Sequence, residues 1–194
     1  FTKPDYTIED SLVTFSPSVI SVADNKVQIT AKILNIGKAV NDSITVQIQH
    51  KRPDNTTRLL ESRKIRATYY EDTLQVQLFI NPILDKGINS IIVTIDPLNL
   101  VSELSETNNS ITREFTILED EIRPVFPFEY SIVGSNNGLE FYGSTADPLA
   151  GEKEYIFEMD TSRLFNSAAK LTRSVTDSGG VIRFVPGVTL SDST

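Results

Sequence analysis

Apolar and polar side chains alternate along the first part of the chain. In one stretch every second residue is apolar, at Val27, Ile29, Ala31 and Ile33, and the residues between them are polar. A period of two is typical of a β-strand that buries one face and leaves the other in water. The turn residues Asn35-Ile36-Gly37 follow the stretch and predict its end.

The same period predicts seven strands within residues 1–118. Their approximate ranges are 6–15, 27–33, 44–48, 58–66, 74–80, 91–95 and 111–117. The range 58–66 alternates least and is predicted to be an edge strand, and 97–107 is predicted to hold a short turn of helix. Seven short strands separated by turns are typical of an immunoglobulin-like sandwich. The sequence therefore predicts an all-β protein with a seven-stranded sandwich at residues 1–118.

The pattern changes after residue 118. A charge run, Glu119-Asp120-Glu121, precedes two prolines and two phenylalanines in Pro124–Phe128, which predicts a stiff, packed domain junction over residues 119–128. Further alternation predicts strands at 139–144, 154–159 and 181–185, with turns at Asn136-Asn137-Gly138 and Ser178-Gly179-Gly180. Residues 129–194 are thus predicted to form a second, incomplete β-sandwich-like domain.

Composition excludes several classes of function. The net charge of −8 would repel a phosphate backbone, so nucleic acid is not an expected partner. The chain has no cysteine, which excludes thiolate metal sites and a cysteine nucleophile. The sequence contains no run of about 18 apolar residues, so it predicts no membrane-spanning helix. The chain opens at Phe1 without a signal peptide, and we expect it to be an internal piece of a longer protein.

The richest polar segment lies between the last two strands of the first domain. Its oxygen-bearing side chains include Asp96, Asn99, Glu103 and Glu106. Calcium takes six to eight oxygen ligands, so these four residues predict a weak calcium site. The alternative is that the same side chains bond to exposed backbone groups of the connection, which is the commoner use of such residues. No other cofactor is expected.

Two further positions are candidates for binding or chemistry. The adjacent aromatics Tyr69 and Tyr70 lie between predicted strands, where they could contact a sugar face or a protein, or a neighbouring domain. His50 is the only histidine, and no nucleophile or orienting carboxylate accompanies it in a motif. We therefore expect His50 to be a solvated strand end and predict no catalytic residue.

Two segments of the first domain resemble the CARDB family, the cell-adhesion-related domain found in bacteria. One is the strand Val27–Ala39 with its Asn-x-Gly end. The other is Ile95–Asn109, which is similar to the Asp-Pro, Asn, Val, Glu, Glu, Asn-Asn signature of that family. With Pro4-Asp5 at the opening, the resemblance covers about residues 4 to 118. It implies an immunoglobulin-like sandwich in a secreted or cell-surface protein.

The second domain resembles fibronectin type III-like modules of secreted Bacteroidetes proteins. Tyr155–Asn166 is similar to their strand and loop, and Val185-Pro186 with Leu190–Thr194 is similar to the stretch before an aromatic strand. The combination resembles the downstream part of large type IX-secreted proteins, some of which carry a gingipain-like cysteine peptidase domain elsewhere. No part of that catalytic machinery matches residues of this chain.

These observations predict a protein that is not an enzyme. The leading hypothesis is a structural spacer and adhesion-type interaction module whose partners are other domains of the same polypeptide. A dedicated carbohydrate- or protein-binding module is the alternative, and an accessory domain of a secreted peptidase is a remote one. Because the second domain is predicted to lack strands, we also expect a homodimer through residues 139–185, or docking on the first domain through Phe126 and Phe128.

Overall fold

The computed structural model describes residues 2–133 and 138–188. Within them the chain is built from β-strands and one 3-10 helix at Asp10–Leu12, so the predicted all-β fold class is confirmed. The chain divides into two compact units, Phe1–Leu118 and Glu119–Thr194. In this part of the chain, no helix has the length and apolar character needed to span a membrane.

The first unit is an immunoglobulin-like sandwich of two sheets. Its strands are β1 (Tyr6–Thr7), β2 (Val13–Ser16), β3 (Ile20–Ser21), β4 (Lys26–Asn35), β5 (Ser43–Lys51), β6 (Thr57–Arg66), β7 (Glu71–Phe79), β8 (Gly87–Ile95) and β9 (Ser110–Leu118). In one sheet β4 pairs with β7, and also with β1 and β2. The other sheet has the order β3-β9-β8-β5-β6, which places β6 at an edge as predicted.

The core lies between the two sheets and is formed by the alternating apolar positions. In β4, Val27, Ile29, Ala31 and Ile33 are buried while the residues between them are half-buried. The central strands β5 and β8 contribute their own alternating series, which includes Ile44, Ile48, Ile91 and Ile95. Successive side chains of a strand point to opposite faces of the sheet. The alternating pattern therefore identifies a segment as a strand and also shows which of its faces is buried.

The opening strand differs from its prediction. The range 6–15 contains β1, the 3-10 helix and β2, because the polar residues Glu9, Asp10 and Ser11 turn the chain between two pairings with β4. The backbone N–H of Leu12 closes this turn on the carbonyl of Glu9 at 3.0 Å. The short strand β3, which pairs in parallel with β9, was also not predicted, and it brings the first unit to nine strands. Residues 97–107 contain no helix.

The prediction of a solvated His50 is wrong. The side chain is fully buried, because it continues the inward series of Ile44, Val46 and Ile48 on β5, between β6 and β8. Its Nε2 atom lies 2.8 Å from Oδ1 of Asn89, and the Nε–H of Arg58 donates to its Nδ1 at 3.2 Å. Burial lowers the pKa of His50. The imidazole is therefore a bonded core residue.

The second unit contains two smaller sheets. Its strands are β10 (Ile122–Phe126), β11 (Phe141–Thr145), β12 (Lys153–Met159), β13 (Leu171–Asp177) and β14 (Val181–Phe184). One sheet has the order β10-β11-β14, and β12 pairs with β13 in the other. The rings of Phe141, Phe157 and Phe184 pack together, with centroids 4.7 and 4.0 Å from that of Phe157.

Two parts of the second unit differ from the sequence analysis. Residues 122–126, predicted to belong to a junction, form β10 and pair with β11, so they are part of a sheet of this unit. Strand β13 was missed because only Leu171 and Val175 mark its apolar face. The predicted turn at Asn136-Asn137 and the segment Leu190–Thr194 lie outside the described residues.

Candidate functional site

Four connecting segments meet at one end of the first unit. They are residues 2–5, 36–42, 67–70 and 96–109, and we refer to them together as the loop end. Neighbouring segments are joined through their backbones: Ile36 N–H donates to the carbonyl of Asp5, Leu104 N–H to that of Pro4, and Asn35 N–H to that of Tyr70, each at 2.9 Å. The loop end is therefore a braced surface.

The carboxylates predicted to bind calcium hold the long connection 96–109 in place. Glu103 is buried, and its carboxylate accepts the backbone N–H of Tyr6 at 2.6 Å and the side-chain amide of Asn109 at 2.8 Å. Oδ2 of Asp96 accepts the N–H of Val101 at 2.7 Å, and Glu106 accepts the N–H of Glu103 at 2.9 Å. These bonds satisfy backbone donors of a connection that has no regular secondary structure.

The same geometry bears on the calcium hypothesis. In residues 2–133 and 138–188, no three His, Cys, Asp or Glu side chains group closely enough to hold a metal ion. Asp96 and Glu103 are buried and point to protein donors, whereas Asn99 and Glu106 are exposed. Calcium binding stays a prediction, and three of its four proposed ligands, Asp96, Glu103 and Glu106, already accept hydrogen bonds from the protein.

The Asn35-Ile36-Gly37 segment braces the opening of the chain. Oδ1 of Asn35 accepts the N–H groups of Asp5 at 3.1 Å and Gly37 at 2.9 Å, and its amide donates to the carbonyl of Thr68 at 2.9 Å. A Cβ atom at Gly37 would lie 2.6 Å from the backbone nitrogen of Asp5. The turn therefore requires glycine because the backbone of residues 3–5, just before β1, passes directly against it.

Several apolar side chains project from this braced surface into solvent. They are Ile36, Tyr69, Tyr70, Leu98, Leu100 and Leu104, and the most exposed are Leu100 at 76%, Leu98 at 74% and Tyr70 at 73%. Tyr69 is partly engaged, because the guanidinium carbon of Arg66 lies 4.6 Å from its ring centroid. The sequence pattern indicated Tyr69 and Tyr70 but not Leu98 and Leu100. The available signal was the presence of two leucines in the turn-forming run Pro97-Leu98-Asn99-Leu100.

Burial of Glu103 predicts a pH dependence of stability. Burial raises the pKa of its carboxyl to about 7, against the hydrogen bonds from Tyr6 and Asn109. The folded state then binds the proton more tightly than the unfolded state, so this contribution is complete below about pH 4.5 and is lost as pH rises to about 7. We expect the difference in free energy of unfolding between wild type and Glu103→Gln to change by about 1–3 kcal/mol over this range.

Urea titrations of both proteins at several pH values measure this difference. Comparing the two proteins cancels the titration of the other groups, including His50. A difference that stays constant from pH 4.5 to 7 would contradict the raised pKa.

The CARDB family model matches residues 3–113. The crystal structure of the CARDB domain of the PF1109 protein from Pyrococcus furiosus, in complex with di-metal ions, is 24% identical with a TM-score of 0.49. That match covers 60% of this chain and 90% of that chain. A solution structure of residues 272–376 of a protein assigned to the cell surface of Methanosarcina acetivorans is 21% identical, with a TM-score of 0.44 and coverages of 60% and 94%. No curated protein matches the sequence.

Proposed function

Because the chain belongs to the CARDB family, we propose that it is a non-catalytic interaction module of a larger secreted or cell-surface protein, and that the loop end is its contact surface. The family match covers the first unit, and this unit carries the loop end. The exposed apolar side chains of the loop end, on a backbone braced by buried carboxylates, are the observation that carries the proposal.

Two leucines of the loop end are exposed on a backbone that hydrogen bonds hold in place. Leu98 and Leu100 contribute little to folding, because most of each side chain stays in water. Exposed apolar groups that lie together commonly mark contact surfaces. The turn that carries them is tied by the N–H of Asn99 to the carbonyl of Asp96 at 2.9 Å and by Val101 to the Asp96 carboxylate. A partner would therefore meet a preorganised surface, which lowers the entropy lost on binding.

A carbohydrate ligand is the second candidate, and it rests on Tyr70. A sugar stacks on an open aromatic face, and Tyr70 is the more exposed of the two tyrosines. The neighbouring ring of Tyr69 is in contact with Arg66, so the pair does not offer two free faces. This arrangement favours a protein ligand, with apolar contacts from Leu98 and Leu100, over a sugar platform.

Removing the two leucines tests the contact surface. The wild-type chain is applied to surfaces coated with fibronectin, collagen or mucin and to a glycan array, and binding is measured by surface plasmon resonance or fluorescence. We expect the double variant Leu98→Ser, Leu100→Ser to bind a protein surface at least about tenfold more weakly. Its thermal midpoint should be unchanged, since both side chains are already exposed.

Ile83→Ser is the matched control for this test. Ile83 is 84% exposed and lies in the connection between β7 and β8, away from the loop end. An equal loss of binding in the control and the double variant would contradict the assignment of the surface. Loss of glycan binding in Tyr70→Ser alone would favour the carbohydrate ligand. If the wild type binds none of these surfaces, the spacer role remains and the adhesion role is contradicted.

The finer features of the parent protein are also part of the proposal. We propose that the second unit is a fibronectin type III-like module and that the parent is a large type IX-secreted Bacteroidetes protein located outside the cell. The similarity of residues 155–166 and 185–194 to such modules supports this. An accessory role beside a gingipain-like peptidase domain follows only if the parent protein carries one. Homodimerisation through residues 139–185 remains a prediction that analytical ultracentrifugation of the chain would test.

A further inference from the structure

The second unit contains an open groove between its two sheets. The apolar part of the groove is a cavity of about 220 Å³. Residues of both sheets line it, including Ile122 and Phe126 of β10 and Tyr155 and Phe157 of β12. An aromatic-lined groove of this kind can accept apolar side chains of another molecule.

The groove continues into a charged part. A second cavity of about 270 Å³ shares Ile122, Tyr155 and Ile156 with the first, so the two follow β10 and β12 as one channel. The charged residues lining this second part are Asp120, Glu121, Asp147, Lys153 and Glu154. Lys153 pairs with Asp120 at 2.6 Å. The channel therefore has an apolar part and a part with an excess of negative charge.

The two strands beside the channel differ in their capacity to pair with another strand. Strand β10 contains Pro124, which has no N–H to donate, and its register shifts between Pro124 and Phe126. Proline and a bulge both protect an edge against further pairing. In contrast, β12 contains no proline, and in the described residues it pairs with β13 alone.

The side chains of β12 show that the channel follows its free edge. Tyr155 and Phe157 are half-buried, while Ile156 and Glu158 are exposed on the opposite face, yet all four line the apolar cavity. A lining that includes consecutive residues from both faces indicates that the groove reaches the edge of the strand. Ile156 is 68% exposed. An apolar side chain is therefore uncovered next to the edge of β12 whose backbone N–H and C=O groups do not pair with β13.

From this geometry we propose that β12 accepts an extended segment of a partner protein as an additional antiparallel strand. The backbone of the segment pairs with the free edge of β12, and its alternate apolar side chains enter the aromatic groove. The acidic part of the channel lies at the N-terminal end of β12, beside Lys153 and Glu154. An antiparallel segment places its C-terminal end there, so the partner sequence has alternating apolar residues followed by lysine or arginine.

The test uses the full chain and two synthetic peptides of about ten residues, the length of a long strand. One peptide alternates valine with threonine and ends in two lysines at its C-terminus, and the other has the reversed order. We expect the first peptide to bind at least about tenfold more tightly in calorimetry. Hydrogen exchange should then slow at backbone amides of β12, because the new ladder removes them from water.

Two variants locate the site. Ile156→Lys places a charge on the accepting edge and should abolish binding of the first peptide, while the fold is retained because the residue is exposed. Val181→Lys is the matched control, since Val181 is 66% exposed, does not line the groove, and lies on β14, which does not pair with β12. The control should bind the peptide like the wild type.

Each remaining outcome would overturn the proposal or a stated part of it. No binding of either peptide at millimolar concentration, or binding that survives Ile156→Lys, excludes β12 as the accepting edge. Loss of binding in Val181→Lys alone would assign the edge to β14. Equal binding of the reversed peptide would overturn the antiparallel direction. Because Leu98→Ser, Leu100→Ser leaves the groove intact, that variant should bind the peptide normally, which separates this proposal from the one concerning the loop end.

Discussion

Replacing Ile33 by alanine is expected to lower the free energy of unfolding by about 2–5 kcal/mol. The side chain is fully buried in β4 and packs in the core between the two sheets. Truncation removes buried apolar surface and leaves a cavity that the surrounding strands fill only in part. Chemical denaturation of the variant, followed by circular dichroism, measures the change.

Gln28→Ala in the same strand is the matched control. Gln28 lies on the opposite face of β4, is half-buried, and its amide reaches backbone carbonyls only at 3.4 Å. Its replacement should change the free energy of unfolding by less than about 1 kcal/mol, because weak, partly solvated hydrogen bonds contribute little. Equal losses at Ile33 and Gln28 would contradict the orientation of β4.

Asp85→Ala is expected to destabilise the first unit by about 3 kcal/mol. The carboxylate of Asp85 is fully buried and accepts Nε–H of Arg52 at 2.7 Å and the backbone N–H of Asn81 at 2.7 Å. Arg58 lies 3.7 Å away and also contacts His50. Removing a buried partner leaves donors and charges without compensation, which is a strongly destabilising change. Both arginines keep some access to water, and this places the expected loss toward the lower part of the usual range.

Glu61→Ala is the control for Asp85→Ala. It removes another carboxylate that pairs with an arginine of the same sheet, Arg63, at 3.1 Å. Both side chains are partly exposed, so the pair is expected to contribute less than about 1 kcal/mol. Thermal unfolding of the two variants in parallel compares them. A loss as small in Asp85→Ala as in Glu61→Ala would show that the buried network around His50 does not stabilise the fold.

The connection 96–109 contains two kinds of residue: polar side chains that hold its backbone in place, and apolar side chains that face solvent. Its polar members Asp96, Glu103 and Glu106 each accept a backbone N–H, so their chemistry is used inside the first unit. The apolar Leu98 and Leu100 have the opposite placement and face solvent. The polar side chains of this connection therefore form the scaffold of the loop end, and the proposed contact surface consists of its exposed leucines.

The sequence by itself determined the central strands of the first unit, because one face of each of these strands is buried and its apolar residues therefore recur with a period of two. This holds for β4, β5 and β8, whose inward residues are apolar except for Asn35 at the end of β4 and the hydrogen-bonded pair of His50 and Asn89 in the core. The same period places His50 on the inward face of β5. The prediction that His50 is solvated was wrong because it relied on the absence of a catalytic motif instead of on this period. Strands with few apolar residues, such as β3 and β13, have no strong period, and only pairing with their neighbours identifies them.

Only the tertiary structure decided which side chains meet across distant parts of the chain. Glu103 reaches Tyr6 and Asp85 reaches Arg52 over long sequence separations, and no local pattern encodes either contact. The exposure of Leu98 and Leu100 is likewise a property of the folded connection, because a leucine in a sequence reads as core until its surroundings are known. The free edge of β12 is decided in the same way, since a strand's alternation specifies its faces, while its edges depend on which other strands come to lie beside it.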